Sequence, residues 1–274
     1  MAQTRPGAQT TQLLISLFQL DSQLILVILA VMVFAGLVHG TLGLGFPMVA
    51  TPIIAIFLDV RLAILLTLLP TAAVNLAVIF SGPDYLPLVK RFLVLVLCSV
   101  IGSLIGSQLL STMDPNPFRM VLAALILLFL ASSHLGKLPK QWLQRHAVPS
   151  MIFFGLLAGL SAGTTNVMVA VLIIYFLSLE LPRDEMVPVL NTCFLAGKLA
   201  QIVIFLNAGL VSVSSMAETI PLAGAALIAL FVGQKIQHRI SVTFYRRVLH
   251  LLLVLLAVIL LLQFFSTPAS SAIG

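Results

Sequence analysis

The sequence predicts an all-α polytopic membrane protein made of two inverted repeats. Each repeat has about five hydrophobic segments, the first two short and broken at a Gly/polar stretch. Three observations predict this. Asp, Glu, Lys and Arg make up only 8% of the 274 residues and 61% are hydrophobic, whereas a soluble domain carries about 25% charged residues to cover its surface. The apolar residues fall into runs of membrane-spanning length. The order of short glycine patterns in the first half returns in the second.

In chain order, residues 1–23 are rich in Gln and Thr with one apolar piece, Leu13 to Leu20. A single preceding arginine and no convincing cleavage site argue against a cleaved signal peptide, so a tail or short interfacial helix is expected. The first repeat, 24–136, has apolar segments at about 23–39, 46–58, 61–80, 88–111 and 118–135. A cytoplasmic linker is expected over 137–147. The second repeat, 148–265, has segments at about 148–162, 167–179, 185–206, 215–234 and 244–265, and 266–274 form a tail. Ser22 to Leu58 contains no Asp, Glu, Lys or Arg over 37 residues, and Ala147 to Leu179 none over 33. Either stretch is too long for one helix across a hydrocarbon core of about 30 Å. Gly40–Pro47 and Ser161–Asn166 interrupt them, so each is two short helices meeting at a break, as two crossings or as a re-entrant hairpin.

Gly36 and Gly40 recur as Gly155 and Gly159 at a shift of 119 residues. Gly106-Ser107-Gln108 recurs as Gly233-Gln234-Lys235, and Phe118-Arg119 as Tyr245-Arg246, both at a shift of 127. Basic residues set the topology. If each interrupted pair returns to its starting side, one side receives Arg5, Arg61 and Arg119. The other receives Lys90, Arg91, Lys137, Lys140, Arg145, Arg183, Lys235, Arg239, Arg246 and Arg247. One net crossing per pair would instead divide the same residues six against seven. The positive-inside rule favours the lopsided division, which puts both termini outside, gives each repeat odd parity and inverts one relative to the other.

Irregular backbone at membrane depth is tolerated only when buried in protein or lining a cavity. The two breaks are expected to meet near the symmetry axis. Free N–H groups at a half-helix start attract an anion. The candidate substrate-binding residues there are Thr41, Gly43, Gly45, Thr164, Thr165 and Asn166, the threonines and Asn166 adding side-chain donors. Gly36/Gly40, Gly155/Gly159 and Gly102/Gly106 read as small-xxx-small packing pairs. Lys198 lies well inside an apolar segment, where a charge costs at least about 2.5 kcal/mol. It shares a helical face with Asn191 and Gln201, and no carboxylate in that segment can pair with it. An anionic substrate would supply the partner; a neutral lysine or one bonded to carbonyls is the alternative. Thr67, Thr71 and Asn75 form a neutral stripe that suits interhelical glue and a pathway lining equally, so Thr71 and Asn75 join the candidates. His39 reads as a hydrogen-bonded structural residue, with titration the alternative. Glu180, Arg183, Asp184 and Glu185 read as a solvated loop cluster before a helix starting at 185.

No catalytic residue, metal site or cofactor is expected. HExxH, GxSxG and Walker patterns are missing, and Gly43-Leu44-Gly45 lacks the third glycine and βαβ setting of a dinucleotide fingerprint. The formal charge of +6 sits in gaps between apolar runs, which argues for membrane flanks and against nucleic acid. Cys98 and Cys193 lie in apolar runs without metal-ligand spacing.

The Gly40–Pro47 break, its counterpart at Gly159–Asn166, and the repeat ends Gly102/Gly106…Phe118-Arg119 and Gly233…Tyr245-Arg246 resemble the sulfite exporter TauE/SafE family of membrane permeases. The resemblance covers about 24 to 265. Leu44 interrupts the first glycine run, and Thr164-Thr165-Asn166 stands where glycines are common in the family. The resemblance implies a bacterial-type inner-membrane carrier that moves small sulfur-containing anions, often outward. Taken together, the sequence points to a secondary transporter of a small anion, an exporter of sulfite or organosulfonates working by alternating access. Its partners are that anion and the lipid bilayer, and a homodimer is compatible with the sequence. A non-transporting membrane scaffold or subunit and an intramembrane enzyme are the competing classes. The enzyme would need an ionisable cluster at depth, and the scaffold predicts no water path to Lys198.

Overall fold

The computed structural model describes residues 22–81, 85–132, 137–237 and 242–266, with 242–248 described by backbone alone. Expectations for the N-terminal tail up to residue 21, Arg239, the tail after Ser266 and the side chains of Tyr245, Arg246 and Arg247 fall outside that set. The described residues form thirteen helices and no strand. The first half comprises α1 (Ser22–Leu42), α2 (Phe46–Phe57), α3 (Val60–Ser81), α4 (Leu86–Arg91), α5 (Leu93–Thr112) and α6 (Pro117–Ala131). After α7 (Lys140–Arg145), the second half comprises α8 (Ala147–Thr165), α9 (Val169–Ser178), α10 (Arg183–Asn207), α11 (Val213–Glu218), α12 (Ile220–Ile236) and α13 (Val242–Ser266). Six of them, α1, α3, α5, α8, α10 and α13, are long and apolar enough to cross a membrane. Large apolar side chains such as Leu26, Phe80, Ile228 and Leu251 remain exposed on the bundle surface, as lipid contact requires.

Three sequence expectations change. Only the second member of each interrupted pair is short: α1 has 21 residues and α8 has 19, against 12 in α2 and 10 in α9. Glycine and threonine inside α1 and α8 are tolerated because neighbouring helices pack against them, so each helix runs on to the break itself. The fourth segment of each half is two helices, a six-residue turn (α4 or α11) followed by α5 or α12. Helix α10 begins at Arg183, directly after Pro182, which cannot continue a helix from its N-terminal side.

Hydrogen bonds mark the two ends of the bundle. At one end Arg61 bonds the carbonyls of Leu110 and Met113, Arg119 Nη2 donates to Leu58 O at 3.2 Å, and Gln263 Nε2 donates to Ile56 O at 3.0 Å. That end gathers the starts of α3 and α6 and the ends of α2, α5 and α13. At the other end Leu138 N donates to Ser178 Oγ at 3.0 Å, Glu180 pairs with Lys137 and Lys140, Arg91 pairs with Glu185, and Arg183 Nη2 donates to Thr41 O at 2.9 Å. Glu180 is held below the usual carboxylate range by its bond to Lys140 and the charges of both lysines. This second, basic end gathers the ends of α1 and α9 and the starts of α5 and α10. Chain direction follows: α1 runs toward the basic end and α2 back from it, whereas α8 runs away from it and α9 returns. Each interrupted pair ends on the side where it began.

Helix packing between the halves is preserved when the halves are exchanged. The most extensive pairs are α5 with α8 and α1 with α12; α10 with α5 answers α3 with α12, and α3–α10 and α6–α13 each map onto themselves. Glycines permit the closest approaches. Cβ atoms at Gly36 and Gly40 would strike the carbonyls of Ala226 and Leu230, and at Gly155 and Gly159 those of Leu95 and Ser99. Successive contacts advance together on both helices, so each of these pairs is parallel. They also correct the repeat register. Gly233 meets Leu37 O, Gly40 Cα and Thr41 N, as Gly106 meets Leu160 O, Gly163 Cα and Thr164 N. Gly233 is therefore the counterpart of Gly106, at the expected shift of 127. Gly36 and Gly40 instead answer Gly159 and Gly163 at a shift of 123, so the alignment with Gly155 and Gly159 is one helical turn out.

The small-xxx-small pairs thus serve packing. Gly159→Ala is expected to destabilise the purified protein by about 1–3 kcal/mol through overpacking. A Cβ at Gly224 meets nothing within 4 Å, so Gly224→Ala should melt at or above the wild-type temperature. Equal melting of the two variants would remove the close-approach account.

Candidate functional site

The first break is a three-residue turn, and its geometry explains its glycines. Gly43 has φ +77° and Gly45 φ +108°, a left-handed region in which a Cβ is penalised. Between them and the following half-helix lies a bonded cluster. The Phe46 N–H donates to His39 Nδ1 at 3.2 Å, which leaves the proton on Nε2, 3.1 Å from Asn191 Oδ1. Asn191 Nδ2 donates to Gly43 O at 2.9 Å and Val187 O at 2.8 Å. His39 is therefore a neutral structural residue that ties the start of α2 to α10.

The second break does the same work with different residues. Asn166 occupies the left-handed position, φ 68°, which asparagine tolerates better than other side chains do. Its Nδ2 donates to Thr51 Oγ1 at 2.9 Å and Thr67 Oγ1 at 3.1 Å. A departure from glycine at this position therefore adds a side chain that clamps α2 and α3 to the break. On the other side Gln201 Nε2 donates to Gly163 O at 3.0 Å, and Lys198 Nζ donates to Gln201 Oε1. Lys198 is 2% exposed; its bonding partner is a neutral amide, and no carboxylate pairs with it among the described residues.

The two breaks do not meet, contrary to the sequence expectation. Asn191 holds the first and Gln201 the second, ten residues apart on α10 and so about 15 Å along its axis. The eleven candidates divide accordingly. Thr41, Gly43, Gly45 and Asn191 gather at the first break, and Thr164, Thr165, Asn166, Lys198 and Gln201 at the second. Thr71 and Asn75 lie on α3 between them. The threonines flanking the breaks add no donors. The Thr41 hydroxyl bonds Leu37 O and Val38 O, that of Thr164 bonds Leu160 O, and that of Thr165 bonds Ser161 O. Because α1 and α8 extend through these residues, each hydroxyl takes the carbonyl one turn back.

A cleft of about 590 Å³ opens at the basic end. It is lined by Gly40 and Gly43 of the first break, Val78 and Ser81 of α3, Arg183 and Asp184 of α10, and Gln234 and Gln237 beyond α12's core. Arg183 reaches in to bond the Thr41 carbonyl at the end of α1, where helix polarity favours a cation. The sequence reading assigned Arg183 and Asp184 to a solvated loop and passed over Ser81, Gln234 and Gln237. The position of Arg183 immediately after Pro182, at a helix start, was the available signal.

Replacing His39 with Ala strips partners from the Phe46 N–H and Asn191 Oδ1. Each buried group left unpaired costs about 1–3 kcal/mol. His39→Ala should lower the melting temperature far more than Thr41→Val, whose hydroxyl bonds only its own helix. Equal effects in a thermal-unfolding comparison would contradict the clamp.

No curated protein and no solved structure matches the chain. The family model of the sulfite exporter TauE/SafE matches residues 28–260, the span that contains both breaks, Lys198 and the cleft. With its multi-pass apolar helices and that match over most of its length, the chain belongs to the sulfite exporter TauE/SafE family of membrane transporters.

Proposed function

We propose that this chain is a secondary carrier that exports a small anion, sulfite or an organosulfonate, across the bacterial inner membrane by alternating access. The observation that carries the reading is the cleft. It leads from the basic end to the first break and stops there, with the second break and Lys198 buried beyond it. By the positive-inside rule the basic end is cytoplasmic and both termini are periplasmic. The cleft is then the cytoplasmic entry, with Arg183 as a first attraction for an anion. Helices α3 and α10, one from each half and packed together, carry buried polar residues over the interval between the breaks. Lys198 offers an uncompensated charge at depth, where an anion would gain most.

The opposite directions of α1 and α8 support two inverted repeats, 24–136 and 148–265, joined by a cytoplasmic linker. Exchange-symmetric packing supports rocking of one repeat on the other, which would close the cleft and open the second break to the periplasm. In this scheme Arg183 meets the anion from one side of the membrane, and Lys198 with Gln201 from the other.

Counterflow of labelled sulfite, sulfoacetate and taurine in proteoliposomes tests the reading. Saturable transport of one of them is expected, reduced at least about tenfold in Lys198→Ala, the equivalent of 1.4 kcal/mol. Arg183→Ala should weaken apparent affinity while leaving maximal flux within a few-fold. Full activity in Lys198→Ala would move the anion off the lysine, and no transport of any of the three would discard this substrate class.

A further inference from the structure

Three buried polar atoms on the path between the breaks have no hydrogen-bond partner among the described residues: Thr71 Oγ1, Asn75 Oδ1 and Asn166 Oδ1. All three residues are fully buried, where an unpaired polar group is costly. Their chemistry is fixed by the bonds that the same side chains do make. Asn75 Nδ2 donates to Thr71 O at 2.6 Å, and a carbonyl acceptor requires the amide nitrogen there. The Thr67 hydroxyl gives its proton to Ala63 O at 2.8 Å, so it accepts from Asn166 Nδ2. Both free amide atoms are therefore carbonyl oxygens, which can only accept.

The three are neighbours in the fold. Thr67, Thr71 and Asn75 follow one another at single-turn spacing on α3. Asn166 lies against Thr67, and the Asn75 amide reaches back onto Thr71. Thr71 is thus one turn from Thr67, which Asn166 bonds, and one turn from Asn75, whose amide bonds the Thr71 backbone carbonyl. Asn166 is also the C-cap of α8, where the negative end of the helix dipole favours a cation. Oxygen ligands suit a hard cation. The neutrality of all three suits a single charge, because a divalent ion without carboxylates would remain uncompensated in a dry interior.

We propose that Thr71, Asn75 and Asn166 form a binding site for a sodium ion at the second break. Neighbouring carbonyls, water or the transported anion would complete its coordination. A cation at this point would offset the charge of the anion, and its gradient is a source of coupling in a chain without an intramembrane carboxylate. Its coupling role rests on the carrier reading above, but the site itself does not.

Thermal unfolding of the purified full-length protein reads the site without transport. At constant ionic strength and constant chloride, replacing choline with sodium is expected to raise the melting temperature saturably by roughly 2–4 °C. Potassium should do less. Thr71→Val, which keeps the side-chain shape, should shift the sodium midpoint upward at least about tenfold, and Asn75→Ala should abolish the response. Identical melting in sodium and choline would overturn the proposal, as would an unchanged sodium midpoint in Thr71→Val. The first of these results would leave these acceptors to water or to the Lys198 ammonium. If sodium stabilises the protein but none of the anions is transported, the site stands and the substrate reading falls.

Discussion

Peptide groups at membrane depth must find partners inside the protein, and that constraint organises this fold. Both halves break their first apolar stretch, and each break exposes carbonyl and amide groups that lipid cannot satisfy. One helix, α10, meets much of the demand. Asn191 bonds the Gly43 carbonyl, and through His39 it also holds the start of α2. Gln201, ten residues on, bonds the Gly163 carbonyl. A helix bonded to both breaks is well placed to sense a change at either.

Close backbone packing supplies the frame around those clamps. Between helices in a membrane there is little hydrophobic drive, so association relies on van der Waals contact over surfaces that small residues make accessible. The α5–α8 and α1–α12 pairs use glycine for this, and they are equivalent under exchange of the halves. The breaks themselves are not equivalent. The first turns on Gly43 and Gly45; the second turns on Asn166, which bonds across to α2 and α3. The frame is symmetric and the breaks are unlike, and the cleft at the basic end reaches only the first of them.

Polar residues in the interior divide by what their hydrogen bonds leave over. Thr41, Thr164 and Thr165 spend their protons on their own helices and contribute little beyond local capping. Asn191 and His39 satisfy each other and the first break. Lys198, Asn75, Thr71 and Asn166 have charge or acceptor capacity left, and all lie on α3, α10 or the second break. Residual capacity, more than polarity itself, separates binding candidates from structural polar residues in a chain with so few charges.

Composition, periodicity and loop charges were enough to establish the all-helical, multi-pass membrane class and the family. These depend on burial and on charge placement along the chain, which are local quantities. The buried position of Lys198 in an otherwise apolar run was legible for the same reason, because a basic residue at depth stands out without any neighbour being known. The roles of Arg183 and Thr51 were not, since each bonds a residue far away in sequence. The repeat register in α1 and α8 was misread by one turn because glycine spacing repeats every four residues, and only the facing helix distinguishes Gly155 from Gly159 as the counterpart of Gly36. The separation of the two breaks along α10, and the spending of the threonine hydroxyls, were decided by tertiary structure alone: both depend on where each helix ends, and packing against neighbours, not local propensity, carries α1 to Leu42 and α8 to Thr165.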